Sequence, residues 1–156
     1  MMHTPQTEAI GETIDAYYRA ICFPPGGKPD WETLKRLFHP AARFLPIDQK
    51  TADQASVLDL HGYFQRFHAA NEATQRYARG FFEREIERQV TVHQAMAHVW
   101  SMYEACHTPA DEAPFSRGVC SMQLIYWEQR WVIISLFWQG TTDLTVSIER
   151  APLEQC

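Results

Sequence analysis

The sequence predicts an α+β domain in which helices from the first half pack against an antiparallel sheet built from the second. Three observations carry this. Apolar residues recur at helical spacing in three separate stretches before residue 74. From Phe82 to Gln139 the pattern changes to period two, interrupted by one acidic Pro-containing loop and two tight turns. Both faces of that alternating stretch are apolar in places: Val99, Ile125, Ile134, Leu136 and Trp138 fall on one parity, and Trp100, Met102, Met122, Leu124 and Phe137 on the other. Such a sheet cannot leave either face in water, so the helices must cover one side.

The first helix is expected over about Thr7 to Cys22, because Ile10, Ile14, Tyr17, Tyr18 and Ile21 share one face and Thr7 with Glu8 supplies a cap and a first-turn acid. Phe23-Pro24-Pro25-Gly26-Gly27-Lys28-Pro29 stops it by removing amide donors. Asp30 caps a short second helix carrying Trp31, Leu34, Leu37 and Phe38, and His39-Pro40 ends it. Ala42 to Leu45 is a brief strand and Pro46 to Gln54 a polar loop. Val57, Leu60, Phe64 and Phe67 set a third helix reaching roughly Ala73.

Four strands follow as a meander: one from near Gly80, then Met96 to Cys106, Phe115 to Tyr126 and Trp131 to Gln139. Phe82, Ile86 and Val90 share a parity opposite Glu83, Glu85 and Glu87, which reads as a strand at a sheet edge with its glutamates in water. A two-residue turn at Glu128-Gln129 pairs Trp127 with Arg130 and carries Gln123 opposite Ile134, Ser121 opposite Leu136 and Val119 opposite Trp138. The same logic at His93-Gln94 pairs Arg88 with Val99, Ile86 with Ser101 and Arg84 with Tyr103. Joining these sets places Arg84, Arg88, Ser101, Tyr103, Ser121, Gln123, Leu136 and Trp138 on one surface. The join crosses the acidic loop Thr108 to Pro114, and which parity faces inward depends on it. The domain is expected to occupy residues 1–142, with 143–156 a tail that lacks periodicity and is partly disordered.

Composition bounds the function. At 156 residues and 46% hydrophobic content, one domain can bury a core without a metal or disulfide. A net charge of -5 with scattered basic residues argues against a nucleic-acid partner. Cys22, Cys106, Cys120 and Cys156 show no C-x-x-C spacing and read as reduced thiols of a cytoplasmic protein. No run approaches the roughly 18 apolar residues of a membrane span, and no basic n-region precedes an apolar stretch. His61 and His68 stand two helical turns apart, too far to share one zinc unaided, so no metal is expected. Nor is any cofactor, because no phosphate-cradling glycine loop or cofactor fingerprint is present.

The passage Trp31-Glu32-Thr33-Leu34-Lys35-Arg36-Leu37-Phe38-His39-Pro40-Ala41-Ala42, the strand Ala97 to Glu104, and Arg117 to Leu124 followed by Trp131 to Trp138 resemble the NTF2-like superfamily, in particular its bacterial SnoaL-like group. The resemblance covers nearly the whole chain. It implies a cystatin-like cone, a curved sheet wrapped around three helices with a ligand cavity inside. Cys120 stands where that group would have Asn. For ketosteroid isomerase-like chemistry, the resemblance places a helix-one donor at Tyr18 or its neighbour Tyr17, a strand donor at Gln123, and the base near Pro46, with Asp48 close by. For dehydratase-like chemistry only His98 lies on a central strand, and the register turns it away.

Tyr18, Arg84, Arg88, Ser101, Tyr103, Ser121, Gln123, Leu136 and Trp138 are therefore the candidate ligand-binding residues, with no catalytic residue assigned. The two arginines suit an anionic group, Tyr103, Ser121 and Gln123 are polar anchors, and Leu136 and Trp138 are apolar walls. Three readings stand side by side: an isomerase, cyclase or dehydratase acting on an apolar cyclic substrate, a non-catalytic binder of a small apolar or aromatic ligand, and a dimeric adaptor. A titratable group inside the cavity separates the first from the others. The stripe Trp100, Met102, Met122, Leu124, Trp131 and Phe137 predicts a homodimer packed through the convex sheet face.

Overall fold

The computed structural model describes residues 4–153. Helix α1 (Pro5–Ile21) begins two residues before the expected start, because Thr4 is the cap: its hydroxyl accepts from the Thr7 amide, and Pro5 needs no donor at the first helical position. Its face of Ile10, Ile14, Tyr17, Tyr18 and Ile21 is buried. Helix α2 (Trp31–Leu37) is capped by Asp30, whose carboxylate accepts from Thr33 N and Thr33 Oγ1.

The chain then turns directly into β1 (Phe38–Ile47), so His39 and Pro40 lie inside a strand longer than expected. Helix α3 (Leu60–Ala73) starts after Asp59, which caps the Gly62 amide and leaves Val57 outside and exposed. A short helix α4 (Arg76–Arg79), absent from the sequence reading, follows Gln75 in the left-handed region. The meander is β2 (Phe82–His93), β3 (Met96–Cys106), β4 (Ser116–Trp127) and β5 (Arg130–Gly140).

The sheet order is β1-β5-β4-β3-β2. The four meander strands are antiparallel as expected, and β2 is an edge, but β1 joins β5 in parallel, so the sheet is mixed. The helices occupy its concave side. There Ile10, Ile14, Leu34, Phe38, Phe44, Val99, Met122, Leu124, Ile133 and Leu136 form a core from which water is excluded.

Two β-bulges decide which side chains enter that core. The Glu128-Gln129 turn, both residues at positive φ, pairs Trp127 with Arg130 as expected. An extra residue at Ile134 then shifts the register by one, so Met122 faces Leu136, Cys120 faces Trp138, and Gln123 faces Ser135. On the other side the turn is Gln94-Ala95 rather than His93-Gln94, and a second bulge sits at Ile86. Glu83 and Glu85 pair with Ala105 and Tyr103, on the parity opposite to Arg84. Beyond the bulge Arg88 pairs with Ser101 and Val90 with Val99. Across the acidic loop Ser101 pairs with Cys120 and Tyr103 with Gly118. Odd residues of β3 therefore share the inner face with even residues of β4.

The convex face differs in membership from the stripe read from sequence, and Ile125 pairs with Val132 on it. Met122, Leu124 and Trp131 point into the cone, leaving Trp100, Met102 and Phe137 beside His98, Ser121, Gln123 and Ser135. Residues 141–153 carry no helix or strand, and Leu144 and Val146 are half-buried. Cys156 lies outside the described residues, while Cys22, Cys106 and Cys120 are free thiols. No helix among the described residues is long and apolar enough to cross a membrane.

Candidate active site

The cone encloses a cavity of about 290 Å³. Its walls come from α1 (Tyr17, Ile21), α3 (Tyr63, Arg66, Phe67, Ala70), α4 (Arg76), the inner faces of β2 and β3 (Glu83, Tyr103, Ala105), and Cys120 and Trp138. Phe81 and Phe115 close one side. The start of β2 is held in place by reciprocal Phe23–Phe81 backbone bonds of 2.8 and 2.9 Å. Gly80, at φ +92°, makes the preceding turn, where a Cβ would come within 2.5 Å of the His107 carbonyl. This geometry aims Phe81 and Glu83 inward.

Glu83 is the one carboxyl that lines the cavity. It is half-buried, and its side chain has neither a hydrogen bond nor an ion-pair partner among the described residues. Burial pushes its pKa from 4.5 up to about 8, against a smaller opposing pull from the Arg76 cation. The other ionisable groups around it are the phenols of Tyr17, Tyr18, Tyr63 and Tyr103 and the Cys120 thiol, with Cys22 Sγ on the Glu83 backbone carbonyl at 3.2 Å. Burial holds all of these well above their ordinary pKa values, so near neutral pH they are donors rather than anions.

Arg76 lies over the Phe81 ring at 4.7 Å and the Phe115 ring at 5.5 Å, and its Nε is buried without a hydrogen bond. Tyr17 and Tyr63 hydroxyls are 3.5 Å apart. Tyr103 reaches the cavity because β4 carries Gly118 opposite it: a Cβ there would lie 2.3 Å from the phenol oxygen. Cavity, neutral phenols, a desolvated cation and one carboxyl poised near neutrality together can transfer a proton and stabilise a developing oxyanion.

Of the residues singled out from sequence, Tyr103 and Trp138 line this cavity. Leu136 faces inward but is buried in the core behind it. Tyr18 and Ser101 are also inward, consumed by a separate network. Ser101 Oγ donates to Glu85 Oε2, so its single proton is committed and Tyr18 must be the donor in their 2.6 Å contact. Arg88 donates to Glu85 Oε1 at 2.7 Å and to Asp15, lying across Gly11 of α1 rather than reaching the cavity.

Arg84 points to the convex side, where it pairs with the buried Glu104, which Arg117 also approaches at 3.5 Å. Ser121 and Gln123 are corrected to the same side by the register shift at Ile134: Ser121 bonds His98 at 2.9 Å and Gln123 bonds Ser135 at 3.1 Å. His98 is thus outside the cone, as its register indicated. Glu83 and Glu85, taken from sequence as solvated, are inside; Glu87, beyond the bulge, is exposed.

Sequence reasoning missed Glu83, Arg76, Tyr63 and Arg66. The signal for Glu83 was weak: the polar runs Glu83-Arg84-Glu85 and Glu87-Arg88-Gln89 flank Ile86, so both faces of β2 carry polar residues on either side of the position where the bulge sits. No comparable signal marked Arg76, which depends on a four-residue helix. Among the described residues no group of three or more His, Cys, Asp or Glu could hold a metal ion.

No family model matches the chain, and no curated protein matches it. Solved structures do. A cystatin-like-fold protein of unknown function from Nostoc punctiforme is 14% identical at a TM-score of 0.69, covering 91% of this chain and 96% of its own. A dehydratase, provisionally so described, from the NTF2-like family of Streptomyces avermitilis is 17% identical at 0.61, with 90% and 100% covered. A provisionally described ketosteroid isomerase from Shewanella frigidimarina is 16% identical at 0.58, with 83% and 94% covered. At these identities the likeness is one of fold. The chain has the NTF2-like, cystatin-like fold, an α+β cone with helices packed against a curved mixed sheet.

Proposed function

We propose that the protein is an acid–base enzyme that moves a proton on a small, mainly apolar carbonyl compound held in the cone, an isomerase- or dehydratase-type reaction. The observation that carries this reading is Glu83: an unpaired carboxyl on the cavity wall, with a pKa of about 8. General acid–base catalysis is most efficient when the group titrates near the working pH, and a binding module has no need for one.

In this reading ionised Glu83 takes the proton from the carbon next to the substrate carbonyl and becomes neutral, a form its environment favours. The electron pair passes to the carbonyl oxygen, where the Tyr103 or Tyr17 phenol donates a hydrogen bond and the Arg76 cation offsets the charge. Glu83 then returns the proton to another carbon, completing an isomerisation, or to a departing hydroxyl, completing a dehydration. At pH 7 roughly a tenth of Glu83 is ionised, which suffices for turnover. The dehydratase and isomerase descriptions of two fold relatives support this reading without assigning a substrate.

The test is deuterium exchange at the acidic α′ and γ positions of 2-cyclohexenone in D2O, followed by proton NMR. Wild-type protein is expected to accelerate exchange along a pH profile with its midpoint near 8, and Glu83→Gln to lose about 100-fold or more of that rate. Equal rates for the two proteins, or a Glu83 carboxyl that titrates near 4.5 by carbon-13 NMR, sinks the proposal.

A further inference from the structure

The cone cavity does not stand alone. A second cavity of about 390 Å³ lies beside it, against the end of β1 and the loop leading to α3, and the two share Arg66, Trp138 and Gly140 as walls. Their characters differ. The first is rich in aromatic rings; the second sets Thr51, Gln54 and Ser56 beside Pro46, Ile47 and Leu58, and the surface it exposes is mostly polar. Its one carboxylate, Asp48, already accepts from the Lys50 backbone amide at 2.8 Å.

Arg66 is the only charged side chain common to both cavities, and it has no hydrogen-bond or ion-pair partner among the described residues. On the cone side the charged groups are Glu83, mostly neutral near pH 7, and Arg76, which lies over the Phe81 and Phe115 rings, whereas Arg66 reaches both cavities. A ligand spanning both cavities therefore meets an apolar chamber at one end and a planar guanidinium among polar side chains at the other. Guanidinium geometry matches a carboxylate, which it holds through two parallel hydrogen bonds.

We propose that the ligand is an amphipathic acid, with an apolar ring seated beside Glu83 and a carboxylate that passes Trp138 into the polar cavity to pair with Arg66. This rests on the reading of the cone as the ligand site and adds the substrate class and its anchor. Arg66 is a binding residue here, set apart from the proton-transfer group, and it orients the ring by fixing the far end of the molecule.

Isothermal titration calorimetry with 5-phenylpentanoate and 5-phenylpentan-1-ol at pH 7 tests it on the full chain. The acid is expected to bind at least 10-fold more tightly than the alcohol. Arg66→Gln is expected to bring the acid's affinity down to that of the alcohol, and Arg66→Lys to keep part of the preference. Thermal unfolding of both variants should match wild type, since the exposed Arg66 side chain holds nothing else in place. Equal affinities for acid and alcohol, or an acid preference that survives in Arg66→Gln, overturns the proposal and leaves the cone reading standing. If neither compound binds at millimolar concentration, both fall.

Discussion

Glu83 and Glu85 stand two residues apart on one strand, point into the same cone, and have opposite fates. Glu85 is saturated: Arg88 holds one oxygen, Ser101 the other, and Asp15 and Tyr18 extend the network on either side. Glu83 meets phenols, a thiol and a cavity, and its carboxyl is pushed up to about 8. Burial alone does not make a carboxylate reactive. What separates the two is the supply of partners, since a paired charge is a structural fastener and an unpaired one takes up a proton instead.

The contrast can be tested hardest through pH. Glu83 binds its proton more tightly in the folded state than in the unfolded chain, where its pKa is about 4.5. The folded state therefore holds its full advantage below pH 4.5, loses it progressively as pH rises, and has lost it by pH 8. Glu83→Gln removes this dependence. The variant should match wild type in urea unfolding at pH 4.5 and exceed it by roughly 2–4 kcal/mol at pH 8. A constant difference between the two proteins across that range would show that Glu83 is not perturbed.

At the paired end the sign reverses. Arg88→Met leaves Glu85 inside the cone with its main cation gone, and about 2–3 kcal/mol of stability should be lost at pH 7. The Glu83 midpoint in the same variant should stay within about half a unit of wild type, because the two carboxyls belong to separate networks. A larger movement would mean that the two ends of the cone are electrostatically one site.

The smallest effect concerns the cavity wall. Gly118→Ala places a methyl 2.3 Å from the Tyr103 oxygen, so the phenol must move or β4 must shift. A loss of about 1–2 kcal/mol is expected, together with weaker 5-phenylpentan-1-ol binding by calorimetry. Unchanged binding would remove Tyr103 from the wall that contacts ligand.

The elements themselves were legible because helical and alternating spacings are local properties of the chain. Ile10, Ile14, Tyr17 and Ile21 announce a helix wherever it packs, and the Glu128-Gln129 turn sets its hairpin without reference to anything else. The edge position of β2 and the inward direction of Ser101 and Tyr103 were also readable. The candidate site was not, because it depends on parity. A bulge inserts one residue and exchanges the two faces of everything beyond it. Ile134 and Ile86 do this on two strands, sending Ser121 and Gln123 outward and Glu83 inward. The acidic loop between β3 and β4 compounded the error, since nothing in its spacing states which residues it brings opposite one another.

The sequence by itself determined an α+β domain with helices first and a meander after, a core of aliphatic and aromatic residues, and the resemblance to an NTF2-like cone. Only the tertiary structure decided that β1 lies parallel to β5, that Arg76 comes down over Phe81 and Phe115, and that one glutamate of three is left in a cavity without a partner. Local periodicity reports how a segment is built. The partners of a side chain, and with them its charge, are set by segments far away in the chain, and no local pattern records them.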